Sequence, residues 1–455
     1  MGKYSNLILT QNTIIQKSNI KNQQQLLKDI RYLNPIVCNP EDSRSMCPIF
    51  RVITKKNKNM NKSYILKVSY LPTKYGCKKD NSFLVERDIY KNYTNKLILD
   101  KNTPNIAAFY FSLIMKNNFY KKIPPDCKEI YMRFAYNNIF DESEDKKIFD
   151  YKNLNVIAIE DLKGKDLTEW LTDTKYEKIK SVLFQVIFTL ECMNYYGIRH
   201  NDIHDKNIFI TSNNNPKYLY YITYYNEINK EIRGFKINTY NCLAKIYDFD
   251  NSCVVKEKKV INTRILNMKK YGMTHRFNPK FDTFTFLGYL LYEFISQTME
   301  FQDILEIEKG FLSLPFEIIK KVYEKTIRKD LLDESSVLFN DLKVAFKLYD
   351  LIQKFIPNWD LFNAEWRLPY RMGKIRKVGY FDNNLQNDNL PDLIPSDLDM
   401  LPNLDILHSQ SFNGWKIKNS DIKDINSETL FILPNFNQFR DNIIENFKNN
   451  NLKLI

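Results

Sequence analysis

A chain of 455 residues that is 44% hydrophobic and 14% aromatic can bury a sizeable core, which excludes a disordered polypeptide and points to two lobes or domains. The net charge of +13 is densest at residues 55–62, 256–270 and 367–377, and composition does not say whether these clusters meet acidic protein, nucleic acid, a membrane surface or only water. Seven cysteines without a CxxC pair argue against a structural zinc site and read as free thiols of a reducing compartment. No apolar run approaches the roughly 20 residues that span a bilayer, and the longest, near residues 182–190, is broken by Gln185. The start, "MGKYSN", lacks a signal peptide, and Asn6 stands where a myristoylation signal carries Ser or Thr. The expectation is a soluble intracellular protein.

Residues 1–35 are polar, with a glutamine run at 23–25, and read as an N-terminal extension or capping helix. "IFRVIT" (49–54) and "SYILKVSY" (63–70) alternate β-branched and aromatic residues like strands, with the Lys/Asn-rich segment 55–62 as their hairpin loop. A helix follows from Asn81, with Phe83, Ile89 and Tyr90 facing inward. "NVIAIEDL" (155–162) has the length of a buried strand, and residues 166–171 open a helix. Residues 176–196 carry Val182, Val186, Leu190 and Met193 at helical spacing, with Lys180 and Glu191 on a polar face. Next come the loop "HNDIHDKN" (200–207), a strand, an Asn/Tyr-rich insertion at 211–240, and the strand and turn "AKIYDFDNS" (244–252). Residues 281–295 are apolar nearly all round, as in a helix buried in mid-domain, and more amphipathic helices are expected to residue 356. The last hundred residues are punctuated by proline and asparagine and suggest no chemistry. The fold expected is α+β, a strand-rich first lobe and a helix-rich second lobe enclosing a cleft.

Asp202 and Asn207 lie five apart between a helix and a strand, and Asp248 ends the next apolar strand. One carboxylate to accept a proton, with an Asn and an Asp to share a hard divalent cation, suits transfer of a phosphoryl group to a hydroxyl. Lys67 sits inside an apolar strand and needs a carboxylate partner, for which Glu86 is the candidate.

Together these residues resemble the protein kinase superfamily over roughly residues 36–356. His200-Asn201-Asp202 through Asn207 resembles the catalytic loop HRDxxxxN, Asp248-Phe249-Asp250 resembles DFG, and "YILK" resembles VAIK. The resemblance implies Asp202 as catalytic base, Asn207 and Asp248 as magnesium ligands, and Lys67, paired with Glu86, on the ATP phosphates. "IEDLKGKDL" is similar to the kinase hinge. There Ile159 is the gatekeeper, backbone groups of Glu160 and Leu162 meet adenine, and Asp166 either meets the ribose or caps the helix after it. Val52 and Ile65 are expected to sandwich the adenine, and Asp282 to brace the catalytic loop. His204 replaces the usual lysine and either contacts phosphate or bonds nearby backbone; His200 is expected to pack near Phe249 and orient the loop. Asn201 replaces the arginine before the base, which implies that activation-loop phosphorylation is not the switch.

The implied architecture is bilobal: extension 1–35, N-lobe and hinge 36–162, C-lobe 163–356 with insertion 211–240, and C-terminal extension 357–455. The departures, with a composition that suits an AT-rich genome, resemble the divergent serine/threonine kinases of large cytoplasmic DNA viruses (poxvirus-, iridovirus- and mimivirus-like). That implies an enzyme using ATP with Mg²⁺ or Mn²⁺ on protein substrates, virion components among them, in host cytoplasm or virion. Nucleic acid as a partner has no support beyond charge. Counting back from Lys67, Ser45, Cys47 and Phe50 fall on the glycine places of the nucleotide loop, where side chains hinder the approach of amides to phosphate. That feature favours an alternative, a kinase-like scaffold without catalysis. A small-molecule kinase is the third reading.

Overall fold

A computed structural model of the chain describes residues 20–36, 49–54, 63–72, 82–116, 149–171, 174–212, 215–256, 259–261, 279–297, 344, 347–348, 350–356 and 401–455. The protein is α+β, and its sheets are mainly antiparallel. Helix α1 (Gln23–Asp29), capped by the Asn22 side chain accepting from the Gln25 amide, leads into β1 (Ile30–Pro35). Strands β2 (Ile49–Thr54) and β3 (Ser63–Pro72) follow, then α2 (Ser82–Ile89), one π-helical turn at Tyr90–Thr94, and α3 (Asn95–Leu99). Strands β4 (Phe109–Lys116) and β5 (Phe149–Glu160) complete a five-stranded antiparallel sheet in the order β1-β2-β3-β5-β4. The sheet therefore begins before residue 36. Leu33 pairs with Val52, so residues 30–35 belong to it and not to an appended extension.

After the short β6 (Gly164–Asp166) and α4 (Leu167–Leu171), helix α5 (Tyr176–Tyr195) forms the centre of the second half. Strands β7 (Ile198–Arg199), β8 (Ile208–Thr211), β9 (Tyr218–Asn226), β10 (Glu231–Asn238), β11 (Leu243–Ile246), β12 (Cys253–Lys256) and β13 (Lys259–Ile261) come next. They precede α6 (Phe281–Gln297), α7 (Asn403–His408), β14 (Leu430–Ile432), α8 (Arg440–Lys448) and β15 (Lys453–Leu454). Among the described residues the second half holds three small sheets, β11-β8-β6, β13-β12-β7 and β14-β9-β10-β15, more strand than apolar periodicity suggested.

The insertion accounts for much of the difference. Its run Tyr218 to Tyr225 is rich in residues that fit a pleated, half-buried surface, and it folds back at residues 227–230 as a hairpin. β14 adds to β9 and β15 to β10, both in parallel, so the insertion and residues 401–455 make one sheet. One face packs on α5: Phe184 lies 5.2 Å from Phe235 and Phe188 lies 4.6 Å from Tyr221, centroid to centroid. On the other, Tyr220, Ile222, Ile232, Leu430, Ile443 and Phe447 form a second apolar core. Gly234 sits where β10 shifts register against β9; a Cβ there would stand 2.6 Å from Ile417 Cδ1 and 2.7 Å from Ile222 Cδ1. This packing also corrects the view of α5 as amphipathic. Ser181, Gln185 and Thr189 are fully buried, and Lys180 lies under the Trp415 ring at 4.6 Å.

His408 fastens the C-terminal residues to the insertion. Arg233 Nη1 donates to His408 Nδ1 (2.9 Å), and His408 Nε2–H donates to Thr223 Oγ1 (2.7 Å), an arrangement only the neutral ring can make. Burial, reinforced by the Arg233 charge, holds its pKa down to about 4 against an ordinary 6.5. A folded value below the unfolded one gives stability that is present above pH 6.5 and lost as pH falls toward 4. The urea midpoint is expected to drop across that window, and His408→Gln to flatten the drop; parallel profiles would show that this ring does not carry the dependence.

Among the described residues no helix is long and apolar enough to cross a membrane. Cys192, Cys242 and Cys253 are buried, free thiols. The three basic clusters, the glycine places Ser45 and Cys47, and the helices expected at 301–343 lie outside the described residues, save for Lys256 and the short β13 in the second cluster.

Candidate active site

Lys67, in mid-β3, reaches two carboxylates: Glu86 Oε2 of α2 at 2.7 Å and Asp248 Oδ1 at 2.8 Å. Glu86 is 1% exposed, and burial pushes its carboxyl up to about 8 although Lys67 opposes the shift. For Asp248, 33% exposed at the side chain, burial acts in the same sense, but Lys67 outweighs it and keeps the carboxyl below its ordinary value. One ammonium thus bridges two acids, leaving the trio net negative when all three are charged.

The loop from His200 to Asn207 approaches this trio from the other half of the chain. Asp282, at the start of α6, accepts from both the His200 amide (Oδ2, 2.6 Å) and the Asn201 amide (Oδ1, 2.9 Å). Ser252 Oγ donates to the His200 carbonyl (3.1 Å). Asn201 has φ 64°, a left-handed conformation that Asn tolerates, and its side-chain Nδ2 donates to the Asn251 carbonyl (3.0 Å). Asp248 is left-handed too, at φ 66°. Two non-glycine residues in this sparsely populated region, both beside the same side-chain cluster, mark a place where surrounding bonds override local preference.

Those bonds are visible. Tyr90, the first residue of the π-helical turn, accepts the Asp248 amide on its hydroxyl (3.2 Å). Its ring meets Phe249 edge-on at 5.0 Å, Phe249 meets the His200 ring at 4.8 Å, and on the far side Tyr90 stacks on Phe109 at 6.2 Å. Burial lowers the His200 pKa and favours the neutral ring, whose Nε2–H donates to the Tyr247 carbonyl (3.1 Å). A column of rings therefore runs from the loop to the five-stranded sheet.

Asp202 has its Oδ2 held by Asn251 Nδ2 (3.1 Å) and its Oδ1 3.7 Å from His204 Nε2. His204 Nδ1 accepts the Lys206 amide (3.1 Å), so the neutral ring carries its proton on Nε2, toward Asp202. The backbone bond is one of the two roles expected for His204, and the imidazole also faces the Asp202 carboxylate. Asn207 Nδ2 donates to the Asp202 carbonyl (2.9 Å), which fixes the orientation of the side-chain amide. The Tyr247 amide bonds the Asn207 carbonyl (3.1 Å), placing Asn207 next to Asp248. An amide oxygen and a carboxylate form the sparse, hard donor set that magnesium takes when phosphates supply other ligands.

No family model matches this chain, and no curated protein does.

Ile159 is buried in β5 opposite Ile65, and the Glu160 amide already donates to the Ala108 carbonyl (2.8 Å). The Glu160 carboxylate turns inward, accepting from the Ala108 amide (3.1 Å) and from the fully buried Lys245 (3.3 Å). Leu162 follows the strand, half-buried. Asp166 caps α4, its Oδ1 accepting the Glu169 amide (2.8 Å), the helix-capping option. Val52 is a correction. It pairs with Tyr64, while Ile65 pairs with Arg51 and Lys67 with Ile49, so Val52 and Ile65 point to opposite faces of the sheet. Ile49 shares the Lys67 face; Val52 is fully buried on the other. Sequence reasoning also missed Asn251, the Tyr90 hydroxyl and Lys245, each of which acts through contacts distant in the chain.

Proposed function

We propose that the chain is an ATP- and magnesium-dependent protein kinase of bilobal kinase type, acting on serine or threonine hydroxyls. The observation that carries this reading is Lys67 held between Glu86 and Asp248 beside a loop whose Asp202 and Asn207 are tied together and braced by Asp282. A phosphorylated product requires an acceptor oxygen to attack the γ-phosphorus while the bond to the ADP oxygen breaks, and the hydroxyl proton has to go to a base. Asp202 is that base. Its Oδ2 is anchored by Asn251, which orients the carboxylate toward the incoming hydroxyl. Lys67 neutralises charge on the phosphates, and the His204 Nε2–H faces the Asp202 carboxylate and helps to orient it. Asn207 Oδ1 and Asp248 would hold magnesium, which supplies charge neutralisation between the β- and γ-phosphates.

The departures Asn201, His204 and Asp250 support a divergent kinase of the sort found in large cytoplasmic DNA viruses, working in host cytoplasm or virion on protein substrates. The deciding experiment offers labelled ATP with Mg²⁺ or Mn²⁺ to generic acidic and basic proteins and to a panel of amino alcohols. Label on protein serine or threonine is expected, with a thermal shift on adding Mg-ATP. Label on the amino alcohols alone would make it a small-molecule kinase; no label and no shift would leave a scaffold.

A further inference from the structure

Residues 401–455 grip one short loop of the N-terminal half. Arg440, at the start of α8, donates from Nη2 to the carbonyls of Asp100 and Lys101, both at 2.8 Å. Asn102 Nδ2 donates to the Ile432 carbonyl (2.6 Å) and to Asn437 Oδ1 (2.7 Å), and Lys101 Nζ donates to the Ser427 carbonyl (2.9 Å). The loop is the end of a helix. Asp100 caps α3, Lys101 is left-handed at φ 53°, and the Asn102 amide folds back to the Leu97 carbonyl (2.8 Å). A guanidinium here faces the negative end of the helix with charge-assisted bonds.

That helix is the one that builds the site. Residues 82–99 form a continuous helical run, about 27 Å long at the usual rise per residue, bearing Glu86 and Tyr90. Just past the clamp the chain is pinned again: Thr103 Oγ1 lies 2.7 Å from Thr189 Oγ1, and Asn105 Nδ2 donates to Gln185 Oε1 (2.8 Å), both on α5. The insertion joins in, since the Tyr221 hydroxyl donates to Asn105 Oδ1 (3.1 Å). The insertion and the C-terminal residues therefore meet on one end of the rod whose other end sets the Glu86–Lys67 pair.

We propose that Arg440 is a positioning residue for phosphoryl transfer, fixing the 100–102 turn so that helix 82–99 presents Glu86 to Lys67 and Tyr90 to Asp248. The catalytic part of this statement rests on the kinase reading; the mechanical part does not. The test is amide hydrogen exchange on the full chain, with steady-state phosphoryl transfer, for wild type, Arg440→Gln, Arg440→Lys and the control Lys453→Ala, which removes an exposed pair to Glu231. Arg440→Gln, which removes the charge from both bonds, is expected to speed exchange in residues 82–99 by at least about tenfold, with α5 unchanged. It is expected to lower kcat more than it raises KM for ATP, with Arg440→Lys recovering part of both. If Arg440→Gln does not fold, Asn437→Ala tests the same clamp on the turn, since it removes both bonds between Asn437 and Asn102 and leaves Arg440 in place. Exchange that stays at the wild-type rate in 82–99, or rises equally in α5, overturns the proposal. Wild type without any transfer would instead sink the kinase reading, and the exchange result would still decide whether the clamp holds the helix.

Discussion

Asp202→Asn is expected to abolish measurable phosphoryl transfer, a fall of about 10²–10⁴-fold, while leaving the fold and Mg-ATP binding intact. The substitution keeps size and shape. An amide oxygen at the Oδ2 position still accepts from Asn251, and the backbone carbonyl still accepts from Asn207. What disappears is the capacity to take a proton at neutral pH. Single-turnover transfer from labelled ATP measures the rate, and a thermal shift with Mg-ATP reports binding in the same sample. A variant that binds and transfers like wild type would remove Asp202 from the chemistry.

Lys67→Met is expected to act on stability as well as activity. Glu86 is buried and already titrates near 8 with its partner present. Removing one side of a buried pair costs about 3–5 kcal/mol when the other charge stays uncompensated. Glu86 can escape by protonating, so the cost has a pH signature. A carboxyl whose folded pKa lies above its unfolded 4.5 is bound more tightly by protons in the folded state, so its contribution declines as pH rises between the two values. In Lys67→Met the folded value rises further, so the deficit relative to wild type is expected to stay flat from about pH 5 to about pH 7 and to widen above about pH 8 in urea melts, where only the wild-type Glu86 ionises beside its partner. Adding Glu86→Gln is expected to restore much of that additional loss above about pH 8. A deficit independent of pH, or a double variant no better than the single, would mean that Glu86 is not the group left stranded.

The parts of this molecule that were legible in its sequence are those whose signal is local. β2 and the start of β3 follow from alternation, and Phe83, Ile89 and Tyr90 from helical spacing; all three of those side chains are buried. The partnership of Lys67 and Glu86 could be named because a lysine within an apolar strand needs a carboxylate and the next helix offers one. Val52 failed for a related reason. An ungapped count across a loop is good to about one residue, and in a strand one residue reverses the face. Asn251 and the Tyr90 hydroxyl have no local signature, since an Asn in a turn and a Tyr on an inward face are satisfied in many ways. The polar side of α5 misled because its cover comes from residues 218–238 and 412–415, and periodicity cannot see what packs from so far along the chain.

The shared sheet also sets a timetable for synthesis. β10 ends at Asn238 and β14 begins at Leu430, so the hairpin waits for roughly 190 residues, on the order of 10–40 s at ordinary elongation rates. Throughout that interval both flanks of the β9–β10 ribbon lack the strands that later close them. An open, tyrosine-rich edge is a template for pairing with a neighbouring nascent chain. Crowded polysomes are then a hazard for this protein, and a holdase that shields residues 218–238 until the C-terminal residues emerge is expected to raise the yield of native molecules.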